Sequence, residues 1–315
     1  MQKTLSIVIP CYNEALTIQS TVTALVDFLQ KTNYRYEIIL INDGSLDRTW
    51  SIMKSLAHQN SYIKSINLSK NMGKEIAMTV GAQHAIGDAI IFTDGDGQRP
   101  ISMIHDFVYK RESWSLIVCG VRNTTKDKTK SFIRKRGSKI FNKLMQLISS
   151  IKFDIGVTDY MLLDKQILTL VLQYGDVNRI FRGIVWDLGY PIDVLYFDEP
   201  PRLAGKSGWP FAKLYNLALT SIVSFSAFPL KFVGFLWLFV IVISFLLIVF
   251  MCISRFGFGN PLAISNIAFF VVGNLFLSGI MLSAIGVLAL YINSIHDEVR
   301  KRPLYIIRDS VNLDD

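Results

Sequence analysis

At the start of the chain, short apolar runs alternate with stretches in which apolar residues recur every three or four positions. The runs 4–10 (TLSIVIP), 36–43 (YEIILIND), 63–69 (IKSINLS) and 88–94 (DAIIFTD) have the length and branched-aliphatic content of buried strands. Between them, 15–32, 47–59 and 73–86 carry helical spacing, and in the first of these Ile18, Val22, Leu25, Val26 and Leu29 share one face. This β-α-β-α-β-α-β rhythm predicts an α/β fold, a mostly parallel sheet with helices on both faces. Ligands of such sheets sit beyond the carboxyl ends of the strands.

The pattern changes at Pro229. Segments 229–253 (PLKFVGFLWLFVIVISFLLIVFMCI) and 264–292 (ISNIAFFVVGNLFLSGIMLSAIGVLALYI) are almost without charge. Each is long enough to cross a hydrocarbon core about 30 Å thick as a helix; a pair of buried core helices is the alternative. Joined by the short SRFGFGNPL, they would form a transmembrane hairpin with both flanks on one side. The linker holds only Arg255, while Arg300, Lys301 and Arg302 follow the second segment, so the positive-inside bias places both flanks in the cytoplasm. The expected organisation is a cytoplasmic domain over 1–225, helices over 229–253 and 264–292, and a cytoplasmic tail over 293–315. The expected location is the inner (cytoplasmic) membrane, multi-pass. Gly273, Gly279, Ser283 and Gly286 are small residues that would let such helices pack into a homo-oligomer.

Composition adds little beyond this. The 315 residues are 51% hydrophobic with a net charge of +8. The excess positive charge clusters beside the apolar segments, which points to a membrane surface rather than to a nucleic-acid partner. Cys11, Cys119 and Cys252 have no paired spacing, so neither a disulfide framework nor a zinc site is expected.

Three strands end in polar signatures: PCYNE (10–14), NDGS (42–45) and TDGDGQ (93–98). Each has an ordinary reading, with Asn13 or Asp43 capping the next helix or the sequence simply turning. Asp94-Gly-Asp96-Gly lacks the closing Glu of a calcium loop and follows a strand. Together, however, the endings bring Glu14, Asp43, Asp94 and Asp96 around one crevice, an arrangement that needs a cation.

These three stretches resemble the nucleotide-sugar-binding half of family 2 glycosyltransferases, which have the GT-A fold. The stretch RLAGKSGWPFAKLYNLALTSIVSFSAFPL (202–230) and the two apolar segments after it are similar to the polyprenyl-phosphate branch of that family. That branch comprises bactoprenol glucosyltransferases of O-antigen modification and dolichyl-phosphate mannose synthases. The resemblance covers nearly the whole chain and implies an inverting, metal-dependent transfer of a hexose, preferably glucose from UDP-glucose, to a polyprenyl phosphate such as undecaprenyl phosphate. It implies that Asp94, Asp96 and Gln98 hold Mg²⁺ or Mn²⁺ with the donor diphosphate, and that Pro10, Tyr12, Glu14 and Asp43 grip the nucleoside. The family pattern has a Leu and a third Asp where this chain has Gly97 and Arg99, and Arg99 is expected to face solvent or phosphate.

An extended Asp94–Asp96 pair would put both carboxylates on one side, with Gly95 and Gly97 leaving room for phosphates. A divalent ion there would stabilise the departing diphosphate. The acceptor phosphate has a second pKa around 6 and needs no strong base. What it needs is positive charge, and a basic amphipathic helix at about 131–150 offers it, either at a membrane surface or as a solvated face. By family position Arg122, Arg134, Arg136 and Ser138 bind the lipid phosphate. Asp159, in DIGVTDYMLLDK (154–165), stands beside the acceptor to orient or deprotonate it, or else caps a nearby helix, and Met161 replaces a customary Arg. Arg202, Lys206 and Ser207 in RLAGKS are expected to clamp the donor diphosphate, and the resemblance implies the catalytic roles for Asp96 and Asp159. The other readings are a GDP-mannose-dependent enzyme of the dolichyl type, a processive polysaccharide synthase, a hydroxyl-acceptor transferase and an inactive membrane scaffold. A processive synthase would carry a Gln-x-x-Arg-Trp stretch, and none occurs here.

Overall fold

The computed structural model describes residues 3–123, 157–176, 179–198, 266–300 and 302–313, with isolated positions 239, 242, 243 and 246. The strands and helices expected from the opening pattern are present: β1 (Thr4–Cys11), α1 (Ile18–Leu29), β2 (Arg35–Asn42), α2 (Thr49–Gln59), β3 (Ile63–Leu68), α3 (Lys74–Gln83) and β4 (Ala89–Phe92). They are followed by α4 (Met103–Glu112), β5 (Ile117–Arg122), β6 (Val157–Asp164), α5 (Lys165–Gln173), α6 (Phe181–Asp187), β7 (Asp193–Phe197), α7 (Asn266–Val299) and β8 (Ile307–Val311).

The strands form one sheet in the order β7-β5-β6-β4-β1-β2-β3-β8. β4, β1, β2 and β3 run parallel, which fits their near-continuous burial: Ile7, Val8, Ile9, Ile38, Ile39, Leu40 and Ile41 are wholly inaccessible. One face packs on α1, with Ile18, Val22, Leu25 and Leu29 directed inward as the helical spacing requires. The other face packs on α3, α5 and α6 through Ala77, Val80, Ile167, Val171 and Ile184. Gly81 lies so close to β1 and β2 that a Cβ there would come within 2.3 Å of Val8. Helix and sheet could not approach this closely with any other residue at that position.

β6 enters antiparallel between β4 and β5. Its register with β4 pairs Phe92 with Met161 and Ile91 with Leu162. Extended two residues further, the same register sets Asp94 opposite Asp159. Against β5 the register shifts between Cys119 and Val121, and Thr158 fills the irregularity by donating from Oγ1 to the Gly120 carbonyl at 2.9 Å. Such bulges redirect side chains at the end of a strand.

The chain divides into two compact units, the first containing 1–146, 151–209 and 302–315, the second 147–150 and 210–301. The sheet belongs to the first unit and α7 to the second. The expected tail is therefore two different things, the end of α7 to Val299 and a strand, β8, that pairs antiparallel with β3.

The expected multi-pass placement in the inner membrane is not upheld. Among the described residues no helix is long and apolar enough to cross a membrane. A span needs about 20 consecutive apolar residues in one helix. Of segment 229–253 only four separate positions are described. In α7 the described side chains include Asn274, Ser278 and Ser283, and Ser283 turns its hydroxyl onto the Gly279 carbonyl within the helix. A Cβ at Gly273, Gly279 or Gly286 would meet open space.

Candidate active site

The carboxyl ends of β1, β2 and β4, the N-terminal turn of α3 and the start of β6 meet at one edge of the sheet. The Asp43 side chain, at the end of β2, is buried and accepts from the backbone N–H groups of Met72 at 2.7 Å and Gly73 at 2.9 Å. Burial raises its pKa, and the two backbone donors oppose that rise. Gly73 has φ +96°, a conformation open to glycine, and this turn delivers Lys74 to the first position of α3.

Lys74 links the two carboxylates that the register sets face to face. Its ammonium lies on Asp94 Oδ1 and 2.8 Å from Asp159 Oδ2. Without a cation between them, two carboxylates at this spacing would repel strongly. Asp94 Oδ2 also takes Arg99, from Nε at 2.8 Å and from Nη2 at 2.7 Å. Asp159 Oδ1 takes Arg182, of α6, whose Nε lies 2.7 Å away as an ion pair rather than an aligned hydrogen bond. Arg182 Nη1 donates to the Val157 carbonyl at 2.9 Å. Burial alone would raise both carboxylates, but the Lys74 charge first, then Arg99 at Asp94 and Arg182 at Asp159, hold both below the usual range. The same pairs raise the Lys74 ammonium against the effect of burial.

Glu75, beside Lys74, accepts from the Phe181 N–H at 2.8 Å. Burial, and then the Asp159 charge, push its carboxyl up to about 7. Cys119 lies nearby with its thiol pushed up to about 12 by burial, which makes it inert as a nucleophile.

The segment after β4 is a turn rather than an extended strand, with φ +72° at Gly97. Asp94 therefore faces Lys74 and Arg99, while Asp96 folds back to accept the Gln98 N–H at 3.0 Å. Gly95 lies close against β1 and α1. A Cβ there would come 3.2 Å from Cys11 Sγ and 3.4 Å from Ile18, so this glycine packs the turn onto β1 and α1. Arg99 does not face bulk solvent: its side chain is 12% exposed and lies over the Phe197 ring, 5.5 Å from its centre. A cavity of about 260 Å³ beside this turn is lined by Ser20, Thr21, Leu25, Asp94, Arg99 and Tyr160.

Pro10 ends β1, and Tyr12 beyond it is 43% exposed. Asn13 is not a helix cap. It has φ +56°, donates its N–H to Ser45 Oγ and accepts from the Leu46 N–H, tying the loops after β1 and β2 together. Glu14 takes the Thr17 hydroxyl at 2.8 Å. Asp159 is likewise no cap, since Asp164 fills that role for α5 by accepting from Gln166. Met161, where a charged residue was looked for, is wholly buried in the sheet. Arg122 ends β5 at the same edge. Arg134, Arg136, Ser138, the basic segment 131–150, Arg202, Lys206 and Ser207 lie outside the described residues.

Lys74, Glu75 and Arg182 escaped the sequence reading. The Gly-Lys-Glu at 73–75 was legible as a helix start, and a helix that follows a strand in this fold begins at the ligand edge. Arg182 left no comparable signal.

Could these residues hold a divalent ion? Asp94 and Asp96 offer only oxygen, and Asp94 already draws a cation to each of its oxygens. Among the described residues no three His, Cys, Asp or Glu groups gather to hold an ion alone. A hard ion such as Mg²⁺ is commonly held by one or two carboxylates, completed by substrate phosphates and water. On that basis the residues fit.

Residues 6–171 match the family model described as glycosyl transferase family 2. The chain belongs to this family. It is a glycosyltransferase. The enzyme is 36% identical over 306 residues to a prophage-derived bactoprenol glucosyl transferase of Shigella flexneri, covering 97% of this chain and 98% of that one. Among solved structures, it resembles mannosyl-3-phosphoglycerate synthase from Rubrobacter xylanophilus, with TM-score 0.51 and 13% identity over 70% of this chain and 72% of that one. It also resembles Mycobacterium tuberculosis glucosyl-3-phosphoglycerate synthase in complex with Mn²⁺, UDP and phosphoglyceric acid, with TM-score 0.50 and 16% identity over 70% and 76%. These two likenesses establish the GT-A-like fold of the glycosyltransferase.

Proposed function

We propose that this glycosyltransferase moves glucose from UDP-glucose to a polyprenyl phosphate with inversion at the anomeric carbon. The observation that carries the reading is the near full-length match to a bactoprenol glucosyl transferase. The site is in keeping with it. A sugar hydroxyl acceptor would need a base, and Asp159 is a poor one, being ion-paired to both Lys74 and Arg182 and lowered in pKa. A phosphate monoester is largely dianionic near neutral pH and needs none.

In the proposed reaction an acceptor phosphate oxygen forms a bond to the anomeric carbon while the bond from that carbon to the UDP oxygen breaks. The bonding electrons leave with the diphosphate, and no proton has to move. Asp159 acts by holding Lys74 and Arg182 in place, so that positive charge faces both phosphate groups. Asp43 sets the turn from which Lys74 projects. Tyr12, exposed at the edge, and Pro10 and Glu14 beside it are assigned to the nucleoside. Arg202, Lys206 and Ser207 are assigned to the donor diphosphate, and Arg122, Arg134, Arg136 and Ser138 to the acceptor phosphate. Asp94, Asp96 and Gln98 would hold Mg²⁺ or Mn²⁺. When bound, that ion supplies Lewis-acid stabilisation of the leaving diphosphate.

The test is to incubate the purified full chain with undecaprenyl phosphate and, in parallel, radiolabelled UDP-glucose, other UDP-hexoses and GDP-mannose. Label is expected in the organic phase from UDP-glucose. Label from GDP-mannose alone would assign the enzyme to the dolichyl-type reaction instead.

A further inference from the structure

The carboxylate expected to take a divalent ion is already occupied. Lys74 sits on one oxygen of Asp94 and Arg99 on the other. Arg99 is held on a second side by the Phe197 ring. We propose that Arg99 is a built-in counter-cation that closes Asp94 to free divalent ions, so that ion binding depends on the diphosphate of the donor. The inference rests on the assignment of Asp94 to the donor site.

For Asp94 to turn an oxygen to an ion, Arg99 or Lys74 must give up its contact. Lys74 can do so and still keep Asp159, 2.8 Å away, but Arg99 then stays on the other Asp94 oxygen with its charge against the incoming ion. An Arg99 released from Asp94 would leave a largely buried guanidinium short of one carboxylate, which is costly in a partly dehydrated place. A lone dication also gains little on arrival. Lys74 and Arg99 already put one cation on each oxygen of Asp94, and Arg182 puts another on Asp159.

A nucleoside diphosphate changes both conditions. It brings negative charge to the ion, and its oxygens give a displaced guanidinium a forked acceptor. Ion and diphosphate then favour one another, and by linkage each raises the affinity of the other by the same factor. Arg99 decides the size of that factor because its charge opposes the ion directly.

The probes are Mn²⁺ and UDP, with protein-bound Mn²⁺ read from loss of the free-ion paramagnetic resonance signal on the purified full chain beyond the loss that the same UDP causes without protein. Wild type is expected to bind Mn²⁺ at least about tenfold more tightly when UDP is saturating. Arg99→Gln is expected to bind Mn²⁺ without UDP about tenfold more tightly than wild type, with a correspondingly smaller gain from UDP. Arg99→Lys, which keeps the charge, should behave as wild type. Equal affinity of wild type and Arg99→Gln in the absence of UDP would overturn the proposal. If Arg99→Gln does not fold, as judged by its melting curve, Arg99→Met is measured in its place with the same expectation, and equal Mn²⁺ affinity of wild type with and without UDP overturns the proposal independently. A wild type that shows no such coupling yet transfers glucose would discard this inference and leave the transferase reading intact. Absence of Mn²⁺ binding under every condition would overturn both this inference and the assignment of the ion to Asp94.

Discussion

Lys74 stands between two carboxylates that the strand register places opposite each other, and its ammonium is what allows both to remain charged. Lys74→Met would leave Asp94 and Asp159 facing one another with only the arginines to offset them. The expected cost is roughly 3 kcal/mol of stability, seen as a lowered melting temperature, together with loss of most transfer activity. Glu75 gives a separate, pH-dependent signature. Its pKa is raised on folding, so between about 4.5 and 7 the folded protein binds a proton that the unfolded chain has lost. Stability from this group therefore falls as pH rises through that window. Glu75→Gln keeps an acceptor for the Phe181 N–H and should raise the melting temperature at pH 8 while leaving it unchanged at pH 4. A variant no more stable than wild type at pH 8 would show that Glu75 is already charged in the fold. At this scale the sequence was only partly legible. Asp94 and Asp96 stood out as acidic residues at a strand end and Asp159 through the resemblance of its stretch to the family's, but which cations meet them depends on β6 entering antiparallel beside β4, and no local pattern announces that.

At the scale of elements, the loop after β3 is held by Asp43 through two backbone N–H groups. Asp43→Asn would replace one accepting oxygen with a donor facing a donor. The expected result is a lowered melting temperature and a fall in kcat, since Lys74 loses its fixed starting point. A raised KM for the donor with an unchanged melting temperature would instead mean that Asp43 contacts the nucleoside directly. The four parallel strands and three helices at the start of the chain were readable because buried parallel strands give continuous apolar runs and amphipathic helices give a strict spacing. The turn at 94–98 was not. An i, i+2 argument holds for an extended chain, whereas here the φ of +72° at Gly97 sends the two aspartates to different partners. The burial of Arg99 over Phe197 was equally out of view, because Phe197 comes from a strand almost a hundred positions later.

At the scale of the molecule, the last residues of the chain are part of the sheet. β8 covers the edge of β3, and Asn312, with φ +59°, donates from Nδ2 to the carbonyls of Ala57 at 2.6 Å and Ile63 at 2.8 Å. Removing 302–315 would expose the β3 edge, and the truncated protein is expected to aggregate or melt at a lower temperature. An unchanged melting curve would mean that β8 adds nothing to the fold. The sequence offered only a short polar end there, and a five-residue strand without alternation cannot be told from a tail until its partner is known. The two apolar segments show the opposite limit. Their composition was unmistakable, yet composition alone did not establish a spanning helix among the described residues.

A single assay decides whether this cluster does the chemistry assigned to it. The purified full chain and its Asp94→Asn variant are given labelled UDP-glucose, undecaprenyl phosphate and Mn²⁺, and the label entering the organic phase is counted. Wild type should form the glycolipid, and Asp94→Asn should form at least about a hundredfold less. Equal rates from the two proteins, or no glycolipid from wild type with any nucleotide sugar, would contradict the account.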